Sequence, residues 1–462
     1  MLATRKPAMA TFVVAGLLAI QSTIAFAAGS KLQMEYVNEP MPPGIQVINT
    51  EFEGPVFADN QGHTLYRWPV GEERNGSVGD TADKKSTCSD VPVRVTAGFA
   101  SIYPAGELLP DADKRPSCAQ YWPPAVVSVN ARPIGSFDII KRDDGTQQWA
   151  YKGFALYTSH LDHRPGETNG GRIRKGRDQY GTVAREPVGP APDVPPQFRV
   201  ANMELGLMLT LANKYSVYAY EKDTANKSNC YGGCLDDWKP VLAPEFTVSH
   251  GAWSVIERTG GAKQWTYRGK PLYTRVLDTK RTSYEGGDVP GWQNVFMQRS
   301  PQAPKGFGLV DTHGGQVRTA PNGKAIYFYL CAEDSADSLA CDAPDSPQVY
   351  RWAMCGGGDV NRCLKTFPYV IADKNAKSES LSWGVRDIDP KTGRYVPAGT
   401  PNALHIWTFR DRPIYTFVGD KNPGDIGADS WGQDHGQTNG FSAVWVRDDY
   451  ETLDMGQWKG GA

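Results

Sequence analysis

The sequence predicts a mainly β protein: three tandem antiparallel-sheet modules with short helical cysteine segments. One pattern recurs three times. Residues 149–157 read WAYKGFALY, residues 265–273 WTYRGKPLY and residues 407–415 WTFRDRPIY. The copies lie more than a hundred residues apart, too far for a solenoid turn, so each marks a folded module. The chain is also rich in turn and strand formers, with 49 Gly, 34 Pro, 21 Tyr and 13 Trp among 462 residues. Such a composition favours short strands over long helices.

Each module opens on a Pro-led extended segment, at Pro43, Pro196 and Pro304. A hairpin follows, turning at Asn60-Gln61-Gly62, Asn213-Lys214 and Asn322-Gly323. The cysteine segment comes next: Cys118 to Pro124 aligns with Cys234 to Pro240 and with Cys363 to Pro368. The second half then reads as a four-stranded meander. In module two its strands are WSVIER, KQWTYR, PLYTRV and WQNVFM, with turns at Gly260-Gly261 and Gly269-Lys270. Trp149, Trp265 and Trp407 are expected in the cores. The organisation expected is a signal peptide over 1–27, module one over 28–172, a Pro-rich linker over 173–196, module two over 197–300, module three over 304–449 and a tail over 450–462.

The N-terminus reads as an export signal. Arg5 and Lys6 precede the apolar run Thr11 to Ile20, and Ala25-Phe26-Ala27 supplies small residues for cleavage after Ala27. The run is too short for a membrane span, and no other stretch of the mature chain is long enough. Losing the two positive charges of Arg5 and Lys6 takes the formal charge from −2 to −4. A net negative chain argues against nucleic acid as a partner.

All eight cysteines follow the signal, and an even number in an oxidising compartment predicts disulfides. The repeat alignment pairs Cys88 with Cys118, Cys230 with Cys234 and Cys355 with Cys363, leaving Cys331 and Cys341 as a pair private to module three. The unequal gaps between partners suit disulfides, which constrain space and not sequence distance. Each module offers two such Cys and no His at a matching position, short of the four ligands of a zinc site.

Half-repeats carry a further signature. Tyr218-x-Tyr220-x-x-Asp223 and Tyr415-x-Phe417-x-x-Asp420 fit Y-x-[FWY]-x-x-D in full, while Tyr157…Asp162 and Tyr273…Asp278 keep only the Tyr and the Asp. Cys230 to Pro240 reads C-x-x-x-C-x-x-x-W-x-P, and Asp420 to Asp425 reads D-x-x-P-G-D. In these residues the chain resembles the bacterial secreted repeat of unknown function, a family often labelled predicted lipoproteins. The resemblance implies an exported repeat architecture and no particular activity. No Cys stands at the end of the apolar run where a lipid would be attached, so a lipid anchor is not implied.

Two sets of residues offer ligand chemistry. Asp420 with Asp425, and Asp162 with Glu167, flank Pro-Gly turns and could hold Ca²⁺. Alternatively, such carboxylates brace the turn by accepting backbone N–H groups, the reading favoured here. His160 and His163 could bind a transition metal with Asp162 or Glu167, against the plainer reading as surface histidines. No cofactor is expected beyond these two metal options. There is no nucleophile elbow, no phosphate-cradling Gly loop and no HExxH. The leading expectation is a non-catalytic periplasmic binding or scaffold protein, whose loops meet a periplasmic or cell-surface protein or a glycan. The alternatives are a redox or metal-handling accessory of periplasmic electron transfer, and an enzyme with a site between modules.

Overall fold

The computed structural model describes residues 35–67, 88, 90, 117–171, 186–329, 355–356, 359–429 and 441–448. These residues form many small antiparallel sheets with three short α-helices, at Cys118–Tyr121, Cys234–Asp237 and Val360–Thr366.

Module two is described throughout. Its first half is the hairpin Phe198–Met203 and Gly206–Leu211. Its second half is the sheet Trp253–Glu257, Lys263–Tyr267 and Lys270–Pro271. Between them runs a four-stranded sheet in the order Trp238–Pro240, Tyr273–Arg275, Tyr218–Tyr220, Trp292–Asn294. Each half therefore sends its Tyr strand to the centre, and Tyr218 lies opposite Tyr273.

The two halves exchange their last strands. The segment after Trp238 closes on the second half, where Trp265 N–H donates to Val241 O at 2.9 Å. The segment after Trp292 closes on the first, where Leu209 N–H donates to Val295 O at 2.8 Å. Val217 to Leu209 and Leu272 to Trp265 repeat the correspondence. The module is thus two similar halves related by a pseudo-two-fold through the Tyr218–Tyr273 pair. The meander expected for the second half is corrected here. Trp292–Asn294 and Phe296–Arg299 leave it and pair with Tyr218–Tyr220 and Gly206–Leu211. Crossing over covers sheet edges that a meander would leave open, and it buries Val295, Phe296 and Met297.

Modules one and three repeat the plan. Tyr66 bridges Tyr157, and Tyr327 pairs with Tyr415. Tyr157, Tyr273 and Tyr415 thus hold equivalent places, and Trp149, Trp265 and Trp407 are buried. In module one the closing strand is Glu186–Pro187, paired with Tyr66–Arg67. Phe57 N–H donates to Val188 O at 2.7 Å beside it. The segment read as a linker over 173–196 therefore contributes a strand; a Pro is tolerated there because the strand is short and at a sheet edge.

The basic residue of each W-x-[YF]-[KR] copy sits in a tight turn. Lys152, Arg268 and Arg410 have φ of 48°, 50° and 50°. Gly153, Gly269 and Asp411 follow at φ 90°, 75° and 54°. Positive φ at both central residues is the type I′ geometry that suits twisted hairpins, so the module-two turn centres on Arg268-Gly269 and not on Gly269-Lys270.

The modules touch. The turn after Gln46–Thr50 enters module three, where the Glu51 carboxylate accepts Leu381 N–H at 2.8 Å and Ser382 N–H at 2.9 Å. Phe52 is fully buried there, edge-on to Phe409 at 5.7 Å with the Arg410 guanidinium 4.5 Å from its ring. Buried Glu204 of module two stands 3.8 Å from buried Arg318 of module three.

Candidate functional site

The signature residues meet across the pseudo-two-fold. Tyr218 Oη donates to Asp278 at 2.6 Å, and Tyr273 Oη donates to Asp223 at 2.7 Å. The Tyr of each half is thus bound by the Asp of the other. Tyr66 donates to Asp162 and Tyr327 to Asp420, each at 2.6 Å. Tyr66, Tyr218, Tyr273 and Tyr327 are all fully buried. A carboxylate acceptor makes each such bond stronger than a neutral one.

The other carboxylate oxygen secures a loop. Asp162 accepts Asn169 N–H at 2.8 Å, Asp420 accepts Gly427 N–H at 3.0 Å, and Asp223 accepts Asn229 N–H at 2.6 Å. Burial raises Asp162, Asp223, Asp278 and Asp420 above the ordinary carboxylate range, with the Tyr hydroxyl acting in the opposite sense. Burial, reinforced by the carboxylate, pushes the partner phenols up too, Tyr273 to about 12. The phenols therefore remain protonated donors at neutral pH.

This gives a signed pH dependence. Asp278 has a folded-state pKa above its unfolded one. Its favourable contribution is complete below the unfolded value of about 3.9 and is lost as pH rises through the raised folded value. Asp278→Asn cannot ionise. The stability of the parent chain relative to this variant is expected to fall as pH rises from about 4 to 7, measured by denaturant unfolding. A relative stability that rises over the same range would contradict the assignment.

The middle aromatic of the signature covers a ring pair. Trp238 and Trp292 stack at 3.7 Å and 5° about the pseudo-two-fold. Tyr220 lies on Trp292 at 4.6 Å, and Arg275, which replaces the aromatic in the other half, lies 6.0 Å over Trp238. In module three Phe367 and Phe441 form the same stack at 3.7 Å and 1°, flanked by Phe417 and Tyr329. Sequence reasoning placed Trp238 and Phe367 in the cysteine segments and Trp292 on a strand but missed the stack, whose two members follow different halves of a module.

A second buried network also went unread. The Arg258 guanidinium donates to Gln264 Oε1 at 2.6 Å, Ser228 Oγ at 2.9 Å and Cys230 O at 2.7 Å. Arg142 repeats it in module one, donating to Gln148 Oε1 at 2.8 Å and Cys88 O at 2.6 Å. Strand register places Ile388 and Ile406 at these positions in module three, both fully buried. The spacing Arg-x5-Gln at residues 142–148 and 258–264 was the available signal.

The cysteines brace the same region. Cys230 is bonded to Cys234 and Cys355 to Cys363, with Cα separations of 5.4 and 4.8 Å. Cys88 is disulfide-bonded. The side chain of Cys118, and Cys331 and Cys341 entirely, lie outside the described residues.

The acidic loops use their oxygens internally. Asp425 accepts Lys421 N–H and Asn422 N–H, both at 2.8 Å. Glu167 accepts His163 N–H at 2.6 Å and Arg164 N–H at 3.1 Å, and its other oxygen takes Arg164 Nε at 2.6 Å. The His160 ring bonds Tyr121 O at 3.1 Å, whereas His163 stands 4.0 Å from Asp411 of module three. The two rings have separate partners. Among the described residues no three His, Cys, Asp or Glu side chains converge as a metal site. Asp420→Asn is expected to lower the melting temperature by the same amount with Ca²⁺ and with chelator, since its bonds are to Tyr327 and Gly427. A calcium-dependent difference of several degrees would restore the ion site.

The fold and its signature define a repeat of paired half-modules. The family described as "Secreted repeat of unknown function" matches residues 138–171, 199–242 and 254–290. The matched segments are the second half of module one and both halves of module two, so the family's unit is the half-module seen in the structure. No curated protein and no solved structure matches the chain. No helix among the described residues is long and apolar enough to cross a membrane.

Proposed function

We propose that this is a non-catalytic binding or scaffold protein of the periplasm, exported by residues 1–27 and built as three modules that present a joint surface. The modules are drawn at 28–172, 197–300 and 304–449, the first extended to Val188 by its closing strand. One observation carries the reading. Tyr66, Tyr218 and Tyr327 and their partners Asp162, Asp278 and Asp420 are buried and bonded across the halves, which makes them a device for joining half-modules. At one equivalent strand position, by contrast, each module exposes an aliphatic side chain. Val126 bridges Gln148, Leu242 bridges Gln264 and Ile371 bridges Ile406, and these aliphatics are 60%, 52% and 58% exposed. Exposed aliphatics repeated in register suit contact with a partner protein.

A photo-crosslinking residue placed at Val126, Leu242 or Ile371 in turn, in cells that export the chain, tests this. The expected result is a discrete adduct with the same protein from more than one position. Adducts from none of the three, under conditions where a crosslinker at the inter-module residue Phe52 reacts within the chain, would overturn it.

A further inference from the structure

Module two holds an aromatic cluster whose stacked Trp pair is replaced in module three by Phe367 and Phe441. The Trp238–Trp292 stack at 3.7 Å is touched on its edges by both central tyrosines. Tyr218 lies 5.2 Å from Trp238 at 77°, and Tyr273 lies 5.1 Å from Trp292 at 90°. Tyr220, partly exposed, stacks on the outer face of Trp292. Five oxidisable rings thus form one continuous set from the surface to the pseudo-two-fold. Each central phenol already donates its proton to a carboxylate, Tyr218 to Asp278 and Tyr273 to Asp223. The Cys230–Cys234 disulfide packs against the same cluster.

We infer that the module-two cluster accepts oxidising equivalents, carrying a one-electron hole from the Trp238–Trp292 pair to the carboxylate-bonded Tyr273 and Tyr218. Three physical features support this. Face-to-face stacking spreads positive charge over two indoles, so the first electron leaves more easily than from one ring. The Arg275 guanidinium sits 6.0 Å over Trp238, which places the charge on Trp292, the ring nearer Tyr273. A phenol is oxidised far more easily when its proton leaves with the electron, and here the acceptor is in place, without movement of water.

An outside one-electron oxidant, a high-valent metal centre or a peroxyl radical, removes one electron from the stacked pair. Tyr273 then gives one electron to the oxidised indole and its hydroxyl proton to the Asp223 carboxylate. The phenolic O–H bond breaks and a carboxyl O–H bond forms. The products are neutral Trp292, a neutral tyrosyl radical and protonated Asp223. Tyr218 and Asp278 offer the same step beside Trp238.

The test uses the full chain and a photogenerated ruthenium(III) polypyridyl oxidant. Transient absorption follows indole and phenoxyl radicals, and spin-trap adducts located by peptide mapping identify the sites. The expected result is an early indole signal that converts to phenoxyl, with adducts on Tyr218 or Tyr273. Trp238→Phe/Trp292→Phe installs the ring pair that module three already uses, so folding is retained; circular dichroism verifies this. It should lose most of the adduct on those two tyrosines, while labelling of tyrosines in modules one and three is unchanged. Asp223→Asn should slow the conversion at Tyr273. Unchanged labelling of Tyr218 and Tyr273 in the double Phe variant would overturn the inference, as would adducts confined to other modules in the parent chain.

Discussion

Arg258→Ile should destabilise the chain by about 1–3 kcal/mol for each buried acceptor it leaves bare. Gln264 Oε1 and Cys230 O lose this donor in a region from which water is excluded, while Ser228 Oγ keeps its bonds to Tyr273 Oη and Cys230 N–H. The companion change Gln264→Ile should recover much of that loss, because the pair then matches Ile388 and Ile406, which module three buries at the same register. Replacing a polar network by apolar side chains of fitting volume is far milder than breaking it. Full recovery is not expected, since Gln264 Nε2 also donates to Leu272 O at 2.8 Å and Cys230 O keeps no replacement. Chemical denaturation of the parent, the single and the double variant reads the result. A double variant less stable than Arg258→Ile alone would contradict the proposed equivalence.

Trp238→Ala should cost about 3–5 kcal/mol, the range for truncating a buried aromatic. The side chain is 5% exposed, stacks on Trp292 and lies edge-on to Tyr218. Truncation leaves a void on the pseudo-two-fold, where strands of both halves meet and neither can collapse without moving the other. Trp238→Phe should lose much less, because Phe367 fills the corresponding place in module three and keeps the stack. Thermal and denaturant unfolding monitored by near-ultraviolet dichroism checks both. Equal losses in the Ala and Phe variants would show that the stack is not what the ring supplies.

Much of the module was legible in the sequence. The threefold WxYK spacing marked the modules because the same three requirements recur: a Trp and a Tyr or Phe in the core and a basic residue at positive φ in a type I′ turn. The basic residue is kept by charge as well as by turn geometry. Lys152 reaches Glu39 and Arg268 reaches Glu35, while Arg410 stands 3.9 Å from Glu53. Those acidic partners lie more than a hundred residues upstream, so no local pattern announces them.

The exchange of closing strands was not legible for a related reason. WQNVFM alternates like any half-buried strand, and alternation names a face to bury without naming the sheet that buries it. The signature itself was read as a family mark with the Tyr and Asp of one half taken together. The structure crosses them: with Tyr218 and Tyr273 paired on neighbouring strands, each hydroxyl meets the Asp that follows the other strand. The acidic loops are the most local of these features. A carboxylate that directly follows a Pro-Gly pair finds the backbone N–H groups three and four residues before it within reach, as Asp425 and Glu167 do.

The crossed pairing is the central claim, and a double-mutant cycle on Tyr218 and Asp278 in the full chain tests it most directly. Tyr218→Phe and Asp278→Ala each remove one partner of a single buried 2.6 Å hydrogen bond. The account predicts that the double variant is more stable than the sum of the single losses allows, by a coupling of about 1–3 kcal/mol. The control pair Tyr218 and Asp223, neighbours within one signature but not bonded to each other, should be additive within about 0.5 kcal/mol. Additive losses at Tyr218 and Asp278, with coupling at Tyr218 and Asp223 instead, would contradict the crossed arrangement of the half-modules.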